Sequence, residues 1–355
     1  MSDIRRSINF ALIGHGGDGK TTLADSLLLH AGVTSRLGRV DDGTSFMNWL
    51  PEERVRRASI STSVCSFAHG DAEFTLLDVP GDANFGGELR GALAAVDNAV
   101  LVLSAQDGVK VGTERAYRYA REHGLGLAAV ANKLDLERAD YDATALQLEQ
   151  MLEVRVVKLH LPLGRGEKFS GFVNLLTGLA HRLDADGKVE IGPPPAEHAD
   201  AIAAARLAMI EAVAEADDAL LEKYLGDGEL SEAEIFATLR KGVRDDTLLP
   251  LLCSASGRNL GGEALLSAAE RIFPTAVDAP PRKAKQGEHE VELAADPGAH
   301  VSALVWKSVA DRYAGMLSVL RVFSGTLRKD MTVLNARTGA RERVGKILRL
   351  HGEQT

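Results

Sequence analysis

Cysteine, aromatic residues and long apolar runs are all scarce in this 355-residue chain, and each scarcity removes a class of protein. Its two cysteines, Cys65 and Cys253, each sit in an apolar, strand-like setting. That suits free buried thiols in a reducing compartment rather than a disulfide. No stretch is long and apolar enough to span a bilayer, and Met1-Ser2-Asp3-Ile4-Arg5-Arg6 runs into the first strand with no apolar leader. A cytoplasmic protein with no membrane partner is expected. With 5% aromatic residues and a formal net charge of −9, the chain lacks both the stacking platform and the basic stripe that broad, non-specific nucleic-acid binding requires. Its apolar content of 45% is nonetheless enough to bury the cores of two or three domains.

Four short stretches in fixed order carry the chemistry. Gly14-His15-Gly16-Gly17-Asp18-Gly19-Lys20-Thr21 has the G-x-x-x-x-G-K-[ST] spacing, in which successive backbone N–H groups wrap a diphosphate. Lys20 reaches the outer phosphates and Thr21 offers its hydroxyl to Mg²⁺, with Thr22 opening a helix that extends to His30. The apolar run Ile8 to Ile13 before it reads as a buried strand. Asp78-Val79-Pro80-Gly81 ends another apolar strand. There Asp78 has the place of a carboxylate that holds Mg²⁺ through water, and Gly81 that of a backbone N–H that senses the γ-phosphate. By itself this tetrapeptide also reads as a strand-ending turn. In Asn132-Lys133-Leu134-Asp135, Asp135 can accept two hydrogen bonds from guanine, which adenine cannot donate, while Asn132 braces the loops and the stem of Lys133 covers the base. Without the glycine loop, Asp135 would read as a helix cap. Ser254-Ala255-Ser256 follows the last strand and is expected to give backbone N–H to the guanine carbonyl, in a register that three small residues leave open.

The fold class expected is α/β: a P-loop GTPase domain over residues 1–277, with an inserted α+β subdomain at about 152–246, followed by an incomplete β-barrel. Strands at Phe74 to Val79, Ala99 to Leu103 and Leu127 to Ala131 alternate with helices, and Leu248 to Cys253 with a helix from Gly262 to Phe273 complete the domain. The insert begins with alternating residues from Val154 to Leu161 and turns helical from Ala199 to Leu225. Residues 278–300 lack periodicity and read as a linker. Beyond them, Val301 to Lys307, Met316 to Phe323, Met331 to Leu334 and Glu342 to Leu350 read as strands, with a turn at Ala314-Gly315. Four strands make a poor barrel, so the chain is expected to stop inside this domain, 301–355.

With these motifs placed, the chain resembles the amino-terminal part of elongation factor G, the translational GTPase of ribosomal translocation, and most closely its divergent elongation factor G-like branch. The likeness runs from Asn9 almost to the end. It includes Val40-Asp41-Asp42-Gly43, Met47-Asn48-Trp49-Leu50, Glu53, Arg56, Ser59 and Ile60 in the first switch, Leu220 to Leu225 in the insert, and Gly325-Thr326-Leu327 with Arg343 to Arg349 in the second domain. The resemblance implies GTP and GDP with Mg²⁺ as ligands, the ribosome and its stalk protein as partners, and a monomer. It also implies that Ser59, where the family has threonine, joins Thr21 and Asp78 at the metal. Besides Ser59, several departures bear on activity, beginning with Arg57 and Ala58 where the family has glycine and isoleucine. Gly16 replaces an apolar residue and Gly17 an aspartate linked with monovalent-ion binding, while Asp82 stands where the family's histidine orients the attacking water. Catalysis would then fall to Lys20, Gly81 and Asp82, with slow hydrolysis. The alternative is a module that binds the ribosome in a GTP-dependent way and has lost rapid hydrolysis.

His15, His69 and His123 have no partner at metal-ligand spacing and read as surface or packing residues. Arg54-Val55-Arg56-Arg57 reads as a solvated charged face, with a basic patch for RNA as the alternative, and the acidic run from Glu215 to Asp218, with Asp227 and Glu229, as another such face, with partner binding as its alternative.

Overall fold

The computed structural model describes residues 6–184, 187–311 and 315–353; Met1 to Arg5 and Ala314 of the expected turn lie outside them. The first domain opens with β1 (Ser7–Ile13), α1 (Lys20–His30), α2 (Pro51–Arg56), β2 (Ser63–His69) and β3 (Ala72–Asp78). It continues through α3 (Gly86–Ala95), β4 (Asn98–Ser104), α4 (Val111–Glu122), β5 (Gly126–Asn132) and α5 (Tyr141–Leu152). The chain then runs through β6 (Val156–Lys158), β7 (His160–Leu163), β8 (Gly171–Asn174), β9 (Ala180–Leu183) and β10 (Val189–Gly192) to α6 (Ala199–Ala214), α7 (Asp218–Asp227) and α8 (Glu232–Arg244). It returns as β11 (Leu249–Cys253) and α9 (Gly262–Ile272).

The main sheet has the order β2-β3-β1-β4-β5-β11-β6, parallel except for β2 against β3. Side chains on a strand alternate between faces, so each strand feeds two cores. Ala11, Ile13, Leu101 and Leu103 join α3, α4 and α5 on one face. Phe10, Leu12, Val100 and Val102 join α1, α8 and α9 on the other. Because β4 and β5 are buried along their whole length, they are continuously apolar in sequence. β1 lies between β3 and β4, and the loops leaving β1 and β3 share the carboxyl end of the sheet, where α/β sheets of this kind place their ligands.

Several elements differ from the sequence-based expectation. The run from Val154 to Leu161 divides between two sheets: β6 extends the main sheet alongside β11, while β7 starts the four-stranded antiparallel sheet β10-β9-β8-β7 of the insert. The helical region 199–225 breaks between α6 and α7, where Asp217 caps α7 by accepting a bond from the Leu220 N–H at 3.3 Å. α8 packs on β5, β11 and α9, so the insert's last helix covers the main sheet. The expected linker carries a hairpin, β12 (Arg282–Gln286) with β13 (His289–Leu293). In the last domain β14 (Ser302–Asp311) pairs with β15 (Gly315–Ser324), and β16 (Thr332–Leu334) with β17 (Arg341–Arg343); no barrel closes among the described residues.

Candidate nucleotide site

The loop between β1 and α1 ends at Gly19, whose φ of 90° a residue with a side chain adopts only under strain. A Cβ there would also strike the Asn132 side-chain amide. Gly19 gives α1 no side-chain cap, so the first N–H groups of an eleven-residue helix face the loop, as an anion-binding helix end requires. Lys20 turns back over this loop, its Nζ donating to the carbonyls of Gly14 at 3.1 Å and His15 at 2.7 Å. Gly81 lies on the other side: a Cβ there would come within 2.6 Å of Gly16 N and would strike the Lys20 ammonium. The two sequence motifs therefore close on the same small space.

The side chains of Thr21, Ser59 and Asp78 meet. Thr21 Oγ1 donates to Asp78 Oδ2 at 2.7 Å and lies 2.9 Å from Ser59 Oγ, which donates to Asn48 Oδ1 at 2.8 Å. Asp78 Oδ1 is buried with no hydrogen-bond partner. Burial pushes the Asp78 carboxyl up to about 7, against the Thr21 hydrogen bond and the Lys20 charge. It pulls Lys20 down to about 8, against the pull of Asp78 and Asp18. Both groups are thus dehydrated charges, which a phosphate beside Lys20 and a cation beside Asp78 would relieve. The donor set is wholly oxygen and suits a hard divalent cation such as Mg²⁺.

The first switch is held against this centre by residues whose roles the sequence did not reveal. Glu53, fully buried, accepts from the N–H groups of Leu50, Ile60 and Ser61 at 3.3, 3.0 and 3.2 Å. Asp25, on α1, accepts from Phe46 N at 3.0 Å, and burial pushes its carboxyl up to about 6. The likeness in sequence marked Glu53 without its role, to which its place three residues after Leu50 at the start of α2 was the local cue.

On the base side Asn132 is fully buried and joins three loops: its Nδ2 donates to Asp18 O at 3.0 Å, and its Oδ1 accepts from Ser256 N at 3.1 Å. Lys133, at φ 61°, donates from Nζ to Gly17 O at 2.6 Å, and Asp135 lies half-buried on the turn that follows. Ser254-Ala255-Ser256 adjoins this turn, with Leu134 N donating to Ser254 O at 3.2 Å. The N–H groups of Ser254 and Ala255 donate to Ala131 O at 2.9 Å and to Leu260 O at 3.0 Å, whereas that of Ser256 is held by the Asn132 side chain. Thr22 lies in the first turn of α1.

Asp82 is exposed, and its Oδ1 accepts from Asn84 N at 2.9 Å, capping a short 3₁₀ turn at Ala83–Phe85. His15 packs against Gly112, and its Nδ1 is buried with no hydrogen-bond partner; His123 Nδ1 lies 2.8 Å from Tyr119 O. No group of three His, Cys, Asp or Glu side chains suited to a metal occurs among the described residues. Cys65 and Cys253 are free and buried. No helix among the described residues is long and apolar enough to cross a membrane.

Residues 5–275 match the family model of the elongation factor Tu GTP binding domain, and residues 300–355 that of elongation factor G domain 2. A crystal structure from Thermus thermophilus superposes with a TM-score of 0.83 at 31% identity, over 98% of this chain and 49% of its own. The chain thus spans about half the length of that protein. It belongs to the translational GTPases of the elongation factor Tu and G type, with its likeness on the elongation factor G side.

Proposed function

We propose that this chain binds GTP and GDP with Mg²⁺ and works as a nucleotide-driven switch on the ribosome, hydrolysing GTP slowly. The observation that carries the reading is the meeting of Thr21, Ser59 and Asp78 within 2.7 to 2.9 Å of hydrogen-bond contact, which joins the phosphate loop, the first switch and the strand before the second switch. Thr21 and Ser59 would ligate Mg²⁺ and Asp78 would act mainly through water. When bound, the ion would supply charge neutralisation at the phosphates. Lys20 binds the outer phosphates, the Gly81 N–H senses the γ-phosphate, and Asp135 selects guanine. Ser256 N–H, which gives to a side chain where those of Ser254 and Ala255 give to backbone carbonyls, is the donor of this stretch that would serve the guanine carbonyl. Two buried thiols suit a reducing, cytoplasmic setting.

Asp82 favours a second reading, a GTP-dependent ribosome-binding module that has lost rapid hydrolysis. An exposed carboxylate engaged as a cap is not placed to orient water, and as an anion it opposes charge growing on the phosphate. GTP turnover with and without ribosomes separates the two. Stimulated turnover supports the switch, and tight ribosome binding without turnover supports the module. Asp82→His should raise stimulated turnover, and Asp82→Ala should do little harm; loss of a clear parental turnover in either variant would make Asp82 catalytic. Calorimetry tests the ligand itself: micromolar or tighter GDP beside weak ADP is expected, and equal affinities would reject the assignment.

A further inference from the structure

The phosphate loop contains a carboxylate of its own. Asp18 is fully buried, and its Oδ2 has no hydrogen-bond partner among the described residues. An ionised group there is costly to dehydrate, and it repels the polyanion that the loop is built to hold. Opposite it stands Lys110, the residue that precedes α4, with its ammonium 2.7 Å from Asp18 Oδ1 and 3.0 Å from Asp107 Oδ2. Burial pulls the Lys110 ammonium down, but Asp18 and Asp107 more than offset this, so its pKa lies above the ordinary lysine value and the charge is present at neutral pH.

Holding the loop against α4 does not require this ion pair. His15 already packs on Gly112, where a Cβ would come within 2.5 Å of the imidazole, and the Lys110 N–H is taken by Thr113 Oγ1 at 3.3 Å. What the ammonium adds is positive charge against a buried carboxylate two residues from Lys20 in the same loop. We propose that Lys110 is a positioning residue of the nucleotide site, whose ammonium cancels the Asp18 carboxylate and so allows the loop to accept a nucleoside diphosphate. The proposal rests on the reading that residues 14–21 cradle the phosphates.

The test is GDP affinity in Mg²⁺ buffer, measured on the full chain with thermal melting as a check on folding. Lys110→Met should weaken GDP by tenfold or more, and Lys110→Arg should restore affinity to within threefold of the parent. Adding Asp18→Asn to Lys110→Met should recover at least threefold, since the offending charge has gone. Asp18→Asn alone should tighten GDP, because the buried anion has gone while the Lys110 ammonium remains, paired with Asp107 only; a mere tether would instead be broken and affinity would fall. The proposal is overturned if Lys110→Met stays within threefold of the parent, or if the double variant binds no better than Lys110→Met. Should Lys110→Met fail to fold, Asp18→Asn decides alone, with unchanged or weaker binding counting against the proposal. A parent chain that binds no GDP removes the underlying reading and this one with it. A parent that binds, with variants that do not separate in this way, overturns this proposal only.

Discussion

Asp135 carries the base specificity in the proposed site, and its half-buried carboxylate sets how much one substitution should cost. A site built to accept two hydrogen bonds rejects a partner that cannot donate them by about two or more orders of magnitude, because the unpaired group is dehydrated for no return. Asp135→Asn should therefore weaken GDP by about a hundredfold and improve xanthosine diphosphate, read by competition calorimetry; unchanged GDP affinity would remove Asp135 from the site. At the metal, Thr21→Ala should weaken Mg²⁺-dependent GDP binding much more than Ser59→Ala, since Thr21 lies on the helix that carries Lys20 whereas Ser59 comes from a switch segment. Equal losses with GDP would show the two hydroxyls to be equivalent. The residues readable from sequence were those whose identity is fixed by the spacing of a short motif, such as Gly19, Lys20 and Asn132, even where their partners come from other loops. The likeness marked Asn48 and Glu53 but not their roles, and nothing marked Lys110, since each acts on a group outside its own motif: the Ser59 hydroxyl, the Ile60 and Ser61 N–H groups, and the Asp18 carboxylate.

Between elements, the join of insert and main sheet depends on a buried histidine. His160, at the start of β7, accepts from Cys253 N of β11 at 2.9 Å, and its ring stacks on Phe172, which stacks in turn on His181. Burial, with a smaller push from His181, holds His160 well below the ordinary histidine value, so the native state keeps it neutral. His181 is also lowered by burial, with Glu263 opposing and His30 assisting. The unfolded chain takes up the His160 proton as pH drops through about 6.5, and the native state does not. Its contribution is thus complete above that pH and is lost below it, by up to about 1.4 kcal/mol per pH unit. In urea melts at pH 7.5 and 5.5, His160→Asn, which retains an acceptor for Cys253 N–H, should be less stable throughout but lose less between the two pH values. The raised carboxyls of Asp25 and Asp78 act in the opposite sense and are common to both proteins, so they cancel in the comparison. An identical pH loss in both proteins would show that His160 does not titrate in this way. At this scale the parallel strands were legible because burial on both faces writes them as apolar runs. The β12–β13 hairpin was not, because its exposed strands, Arg-Lys-Ala-Lys-Gln and His-Glu-Val-Glu-Leu, carry too few apolar residues to show a face. α8 did carry a sign, the Ser231 and Glu234 capping box before Ile235 and Phe236, and its burial follows from that amphipathic pattern.

Across the whole molecule, one side chain of the last domain bonds to two segments beside the nucleotide site at once. Lys307 on β14 donates to Ser61 Oγ at 2.5 Å, Thr62 O at 2.8 Å and Glu88 Oε2 at 2.9 Å, and so touches the end of the first switch and the helix after Asp78-Val79-Pro80-Gly81 together. A second, separate contact holds the same domain, where buried Asp97 pairs with Arg321 at 2.6 Å and lies 3.7 Å from Arg282. At the sheet edge, Gly352 N donates to Val64 O at 3.0 Å and His351 lies 3.3 Å from the Cys65 thiol, so the segment beyond β17 covers β2. With two other attachments in place, removing Lys307 should leave the domain docked and loosen the switches alone. Lys307→Met strips a charge-assisted partner from the part-buried Glu88, at a cost of about 2 kcal/mol borne by the local opening of residues 59–62 rather than by global unfolding. Exposed Arg54, Arg56 and Arg57 lie just before that segment and report on it through trypsin. When opening is fast relative to cleavage, the rate follows the open population, so cutting there should speed up by about tenfold or more while the urea midpoint moves little. Equal cleavage rates would place the control of the first switch within the GTPase domain, at Glu53 and Asn48, and leave Lys307 as an ordinary interface contact.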